Sequence, residues 1–200
     1  MIAWTVATPD MMAVAQEASR RICHYGDVES VIFPCEDRFD CHRKKLQIWQ
    51  ELSGPSWFYD ADLWMVQKCP LGIPTGEIII GNPDDCCGAK YDGTFVDPTQ
   101  AINSSLVGMD MSNTWMKNGV IAQAIRYQIQ AFGDSPTQDE KFLNMAAWLP
   151  ERRTMIARLS TRWNWCDLNP PKDAIAVHAA SQFTFNKLEW LNKAVKNYEN

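Results

Sequence analysis

Short β-rich runs alternate with stretches of helical periodicity from one end of this chain to the other, and that alternation restricts its fold more than any other feature. Ile2 to Ala7 reads as a strand, broken by Thr8-Pro9-Asp10. Met11 to Cys23 carries apolar residues at helical spacing and reads as a helix. Ser30 to Cys35 reads as a second strand. Asp40 to Leu52 reads as a helix with Leu46, Ile48, Trp49 and Leu52 on its inner face, ended by Ser53-Gly54-Pro55-Ser56. Trp57 to Asp60 and Glu77 to Gly81 are the next strands, and Asn82 to Gln100 reads as a loop. A short strand at Leu106 to Met109, helices at Thr114 to Phe132 and Gln138 to Trp148, and strands at Met155 to Leu159 and Ile175 to His178 follow. Phe185 to Tyr198 is a terminal helix. This order predicts an α/β layer fold around a mostly parallel sheet. No repeat, low-complexity tract or linker divides the 200 residues, so one domain is the simplest organisation.

Composition narrows the function classes. A hydrophobic share of 46% supports a core without covalent staples. The net charge of −5 argues against a protein that coats nucleic acid. A small phosphorylated ligand needs only one or two local cations or a metal, and is compatible with that balance. The seven cysteines are odd in number and irregularly spaced, with no C-x-x-C pair. They read as reduced thiols in a reducing compartment, the cytoplasm. The N-terminus lacks a basic region and meets Asp10 early, unlike a signal peptide. No run of about 18 apolar residues is present, so no membrane span is expected.

The stretch SWFYDADLWMV, Ser56 to Val66, places Asp60 and Asp62 at the end of an apolar run. In open α/β sheets, ligands bind at the carboxyl ends of strands. Two carboxylates pointing the same way repel unless a cation or a donor group lies between them. Mg²⁺ and Mn²⁺ take oxygen ligands and often complete their shell with substrate phosphates. The pair therefore suits a metal handle for a diphosphate. The plainer alternative is one aspartate capping the next segment and the other solvated.

The segment KKLQIWQELSGPSWFYDADLWMV, Lys44 to Val66, resembles the central motif of GT-A glycosyltransferases, especially family 8 and its relatives. Further landmarks keep the family's order. INSSLVGMD (Ile102 to Asp110) is similar to its F-N-S-G segment, and TQDEKFLN (Thr137 to Asn144) to its D-Q-D-x-L-N helix start. RWNW (Arg162 to Trp165) resembles the segment holding W-N, and IAVHAAS (Ile175 to Ser181) the strand ending in the histidine of H-x-x-G. The likeness spans nearly the whole chain. Two departures stand out: the glycine of H-x-x-G is Ser181, and the K-P-W that follows is missing, with Lys187 several residues further on.

This resemblance implies a GT-A three-layer α/β/α fold and a UDP-sugar donor bound with Mn²⁺ or Mg²⁺. It implies Asp62 and His178 as metal ligands, and Asp60 as a ligand or a ribose contact, with Ala61 between the two aspartates in the donor site. Ala7 and Thr8 fall where the family's backbone meets the uracil. Lys45 matches a lysine that reaches phosphate or sugar, with Lys44 and Arg43 as neighbouring competitors. Asn103 and Ser104 match donor-sugar contacts. Asp139 or Glu140 is the carboxylate expected at the reacting carbon. Trp163 and Asn164 are candidates to line the sugar or acceptor pocket, and Asp92 and Asp97 to touch an acceptor. His24 and His42 match nothing and are expected at the surface. The implied reaction moves a hexose, glucose-like as first expectation, to a glycan or glycoprotein hydroxyl, with retention favoured. A sugar-phosphate nucleotidylyltransferase and a non-catalytic glycan- or nucleotide-sugar-binding module are the alternatives. The chain reads either as a stand-alone enzyme or as one domain of a longer protein.

Overall fold

A computed structural model describes residues 1–83, 101–132, 139–148, 154–180 and 186–200. The first half alternates as its sequence predicts. Strand β1 (Ile2–Ala7) leads through a short 3-10 turn at Pro9–Met11 into helix α1 (Met12–Gly26). Strand β2 (Glu29–Pro34), helix α2 (Arg38–Glu51) and strand β3 (Pro55–Tyr59) follow. Helix α2 starts where the Asp37 carboxylate accepts the Asp40 backbone N–H at 2.8 Å, an ordinary N-terminal cap.

The apolar run after β3 divides. A turn at Asp60-Ala61, closed by the Leu63 N–H to the Asp60 carbonyl at 3.0 Å, starts a separate strand, β4 (Leu63–Met65). Periodicity alone does not show this break, because both halves are equally apolar. The chain continues through β5 (Ile78–Pro83), β6 (Ile102–Asp110), a π-helical segment at Trp115–Ile121, α3 (Ala122–Phe132), α4 (Asp139–Ala147), β7 (Met155–Arg158), a 3-10 turn at Thr161–Trp163, β8 (Ala176–His178) and α5 (Lys187–Glu199). Strand β6 is longer than expected because Asn103, Ser104 and Ser105, polar by sequence, are buried in it.

The main sheet has six strands in the order β2-β1-β3-β6-β5-β7, and β4 pairs with β8 in a separate ribbon. Strand β6 is antiparallel to both β3 and β5, and the other pairings are parallel, so one strand runs against five. Alternation along the strands builds two apolar layers. Ala3, Trp57, Tyr59 and Leu106 pack with Val14, Ala18 and Ile22 of α1 and with Leu191, Ala194 and Val195 of α5. Trp4, Val6, Phe58, Ile79 and Val107 pack on the other face with Leu46, Ile48 and Trp49 of α2 and with Phe142 and Leu143 of α4. Trp4 meets Trp49 and Phe58 edge-on, at centroid distances of 5.0 and 4.9 Å. The result is the three-layer α/β/α arrangement. Cys23, Cys35, Cys41, Cys69 and Cys166 are free thiols. No helix among the described residues is long and apolar enough to cross a membrane.

Candidate active site

The break between β3 and β4 places both aspartates at the sheet's carboxyl edge. The Asp60 N–H donates to the Ser105 carbonyl at 2.7 Å, which ties the turn to β6. Ala61 packs against Ala7 and Ala15, so the turn rests on the end of β1. Asp62 is held to the second ribbon: its carbonyl accepts the Ala179 N–H at 3.0 Å, and Leu63 lies opposite His178. Strand pairing thus delivers His178 to the aspartates across more than a hundred residues of chain. His178 Nε2 lies 3.4 Å from Asp62 Oδ1 and 3.8 Å from Asp60 Oδ2. The three side chains offer ligand atoms within 4.8 Å of one another and could hold a metal ion.

Two lysines flank this group. Lys45 Nζ sits 2.9 Å from Asp60 Oδ1 and 3.5 Å from Asp139 Oδ2, while Lys187 Nζ pairs with Asp62 Oδ2. Lys44 and Arg43 turn away: both pair with Asp40, at 2.9 and 2.7 Å. Of the three neighbouring cations, helix geometry therefore sends only Lys45 inward, along the same face as buried Leu46 and Trp49.

His42, expected at the surface, lies three residues before Lys45 on that face and places Nδ1 2.5 Å from Asp139 Oδ1. The i, i+3 spacing with Lys45 was the available signal; nothing in the sequence marked Asp139 as the partner of both. His24 is exposed, as expected. Lys187 carried no such signal, because its distance from His178 departs from the family's pattern.

Burial and charge oppose each other at these groups. Burial on its own would raise the Asp139 carboxyl, but the Lys45 ammonium and the His42 ring outweigh it and hold it at about 2. Asp62 is likewise held below the usual carboxylate range: burial pushes up, while His178 and Lys187 pull further down. Burial would lower Lys45, yet Asp139 and Asp60 keep its ammonium above its ordinary value.

The other expected positions are distributed around this centre. The Ser104 N–H donates to Glu140 Oε2 at 2.7 Å, which ties β6 to the first turn of α4, while Asn103 Oδ1 accepts the Ser105 N–H at 2.9 Å within β6. Asn144 strengthens that tie by exchanging hydrogen bonds with the Ile102 backbone at 3.0 and 2.9 Å. The Ala7 and Thr8 carbonyls already accept the Cys35 and Met11 N–H groups, at 2.8 and 3.0 Å. Trp163 is 7% exposed and belongs to the core beside α1. Asn164 reaches His178 rather than an open pocket, with Oδ1 2.8 Å from Nδ1. Asp92, Asp97 and Ser181 lie outside the described residues.

No family model and no curated protein sequence matches the chain. Solved structures do. A galactosyltransferase, LgtC, determined with donor and acceptor sugar analogues, superposes with a TM-score of 0.65 at 9% identity, covering 98% of this chain and 96% of that one. The glycosyltransferase GlyE of Streptococcus pneumoniae TIGR4 gives 0.63 at 11% identity; the match covers 99% of this chain but 61% of GlyE. A glycosyltransferase involved in glycosylation of the major capsid of PBCV-1 gives 0.61 at 11% identity, over 96% of this chain and 97% of the other. At such identities the likeness establishes the fold: this chain has the mixed α/β architecture of these glycosyltransferases.

Proposed function

We propose that the chain is a metal-dependent glycosyltransferase that moves a hexose, glucose as first candidate, from a UDP-sugar to a glycan or glycoprotein hydroxyl, with retention at the anomeric carbon. The observation that carries this reading is the convergence of Asp60, Asp62 and His178 at the carboxyl end of β3, on a fold shared with glycosyltransferases. Two carboxylate oxygens and one imidazole nitrogen form a donor set that accepts Mn²⁺, and Mg²⁺ less readily. When bound there, the cation neutralises the charge that develops on the diphosphate leaving group.

The protein's own groups do the rest. Lys187, already paired with Asp62, is placed to reach the diphosphate. Lys45, shared between Asp60 and Asp139, orients both carboxylates. Asp139, kept ionised, faces the positive charge that builds at the sugar carbon, with Glu140 beside it. Asn103 and Ser104 border the donor sugar, and Ala7, Thr8 and Ala61 form the floor for the nucleoside. The first β–α connection, Thr8–Met11, has no glycine, which removes support for a nucleotidylyltransferase.

Calorimetric titration of UDP, with GDP and CDP as controls, tests the proposal. UDP is expected to bind only with Mn²⁺ present, and Asp62→Asn is expected to abolish that binding. Failure of every nucleotide to bind with or without metal would overturn it. Slow release of sugar from a UDP-sugar to water is expected of the transferase and not of a binding module.

A further inference from the structure

We propose that Asn164 is a positioning residue of the metal centre: its side-chain carbonyl fixes the His178 ring so that Nε2 is presented to the cation. The inference rests on the metal-dependent reading above. A carbonyl oxygen only accepts, so the nitrogen facing it, His178 Nδ1 at 2.8 Å, carries the hydrogen. The lone pair of the neutral ring then resides on Nε2, the atom turned toward Asp60 and Asp62. Metal-bound histidines are commonly held through their other ring nitrogen in this way.

The surrounding backbone makes the contact a built one. Asn164 follows the 3-10 turn, and its N–H donates to the Thr161 carbonyl at 3.1 Å. On either side, the Ile175 N–H reaches the Arg162 carbonyl at 2.7 Å, Trp165 N–H the Ala176 carbonyl at 3.1 Å, and His178 N–H the Trp165 carbonyl at 2.9 Å. Donor and acceptor therefore ride on one hydrogen-bonded unit. Asn164 and His178 are 6% and 5% exposed, which leaves Asn164 little surface for a sugar. An amide also suits the electrostatics: with Asp60, Asp62 and Asp139 already present, it orients the ring without adding a fourth negative charge.

The test joins ¹⁵N-histidine NMR of the metal-free protein to Mn²⁺ titration by calorimetry. Wild type is expected to show His178 with its hydrogen on Nδ1. Asn164→Ala is expected to lose that preference and to bind Mn²⁺ about 10–100-fold more weakly. Asn164→Asp, which keeps an accepting oxygen, is expected to retain both and serves if the alanine variant does not fold. A wild-type ring with its hydrogen on Nε2 overturns the proposal. So does Asn164→Ala with wild-type Mn²⁺ affinity; if Asp62→Asn still abolishes binding in that case, the metal centre itself stands. Absence of Mn²⁺ binding by wild type removes the metal centre, and this proposal with it.

Discussion

Asp139 shows how one side chain links the chemistry of the site to the stability of the fold. Its carboxyl is held at about 2 against an ordinary 3.8, because Lys45 and His42 outweigh the cost of burying it. A carboxyl depressed in the folded state stabilises that state above its unfolded value, and the contribution fades as pH falls through the folded one. About 2 kcal/mol of stability is therefore expected above pH 4 from this group, lost between roughly pH 4 and 2. Denaturant unfolding of wild type and Asp139→Asn over that range checks it: the difference in stability should shrink as the solution becomes more acid. A constant difference would place the effect in packing instead. His42 belongs to the same argument, since its contact was invisible until α4 was placed against α2.

At the scale of elements, the π-helical segment before α3 is anchored at its start by a side chain. Asn113 Oδ1 accepts the N–H groups of Trp115 and Met116, at 2.9 and 3.1 Å, and starts the segment. The indole of Trp115 then lies across Gly119, where an added Cβ would come within 2.3 Å of the ring. Gly119→Ala is expected to destabilise the protein by about 1–3 kcal/mol through overpacking, read as a lowered urea midpoint. An unchanged midpoint would mean that the ring moves aside freely. The same region marks the reach of pattern reading. Helical periodicity identifies the whole of Thr114 to Phe132 but not its wider first turns, since the π-helical segment at Trp115–Ile121 is too short for a different period to stand out. Strand β4 escaped for a related reason: the run from Trp57 to Val66 is apolar on both sides of the turn, and only pairing with β8 separates its halves. The aspartate pair itself was legible, because charge inside an apolar run needs a partner. Asn164's partner was not, because an asparagine beside a tryptophan has no pattern that points to a histidine fourteen residues on.

For the molecule as a whole, the candidate site is an assembly. The turn after β3, helix α2, the start of α4, strand β8 and the start of α5 each contribute an ionisable side chain. A ligand that engages them together should hold these elements against one another. With the Mn²⁺–UDP complex, taken as a single ligand, near 100 times its dissociation constant, about 2.7 kcal/mol of added stability is expected, visible as a raised melting temperature. Asp62→Asn should remove the shift, and a shift that survives in the variant would locate binding elsewhere.

The groups of the site form a row in which carboxylates alternate with histidine rings and lysine ammonium groups: His42, Asp139, Lys45, Asp60, His178, Asp62, Lys187. Such a row behaves like a line of coupled magnets, where turning one over changes the preference of the next, and that of the one after in the opposite sense. Taking away Asp139 leaves Lys45 to Asp60, and an Asp60 so occupied would have less to offer a metal ion held by the Asp60, Asp62 and His178 group. Defects at the two ends can therefore cancel or reinforce according to the parity of the steps between them, so the effects of paired substitutions here will not be sums.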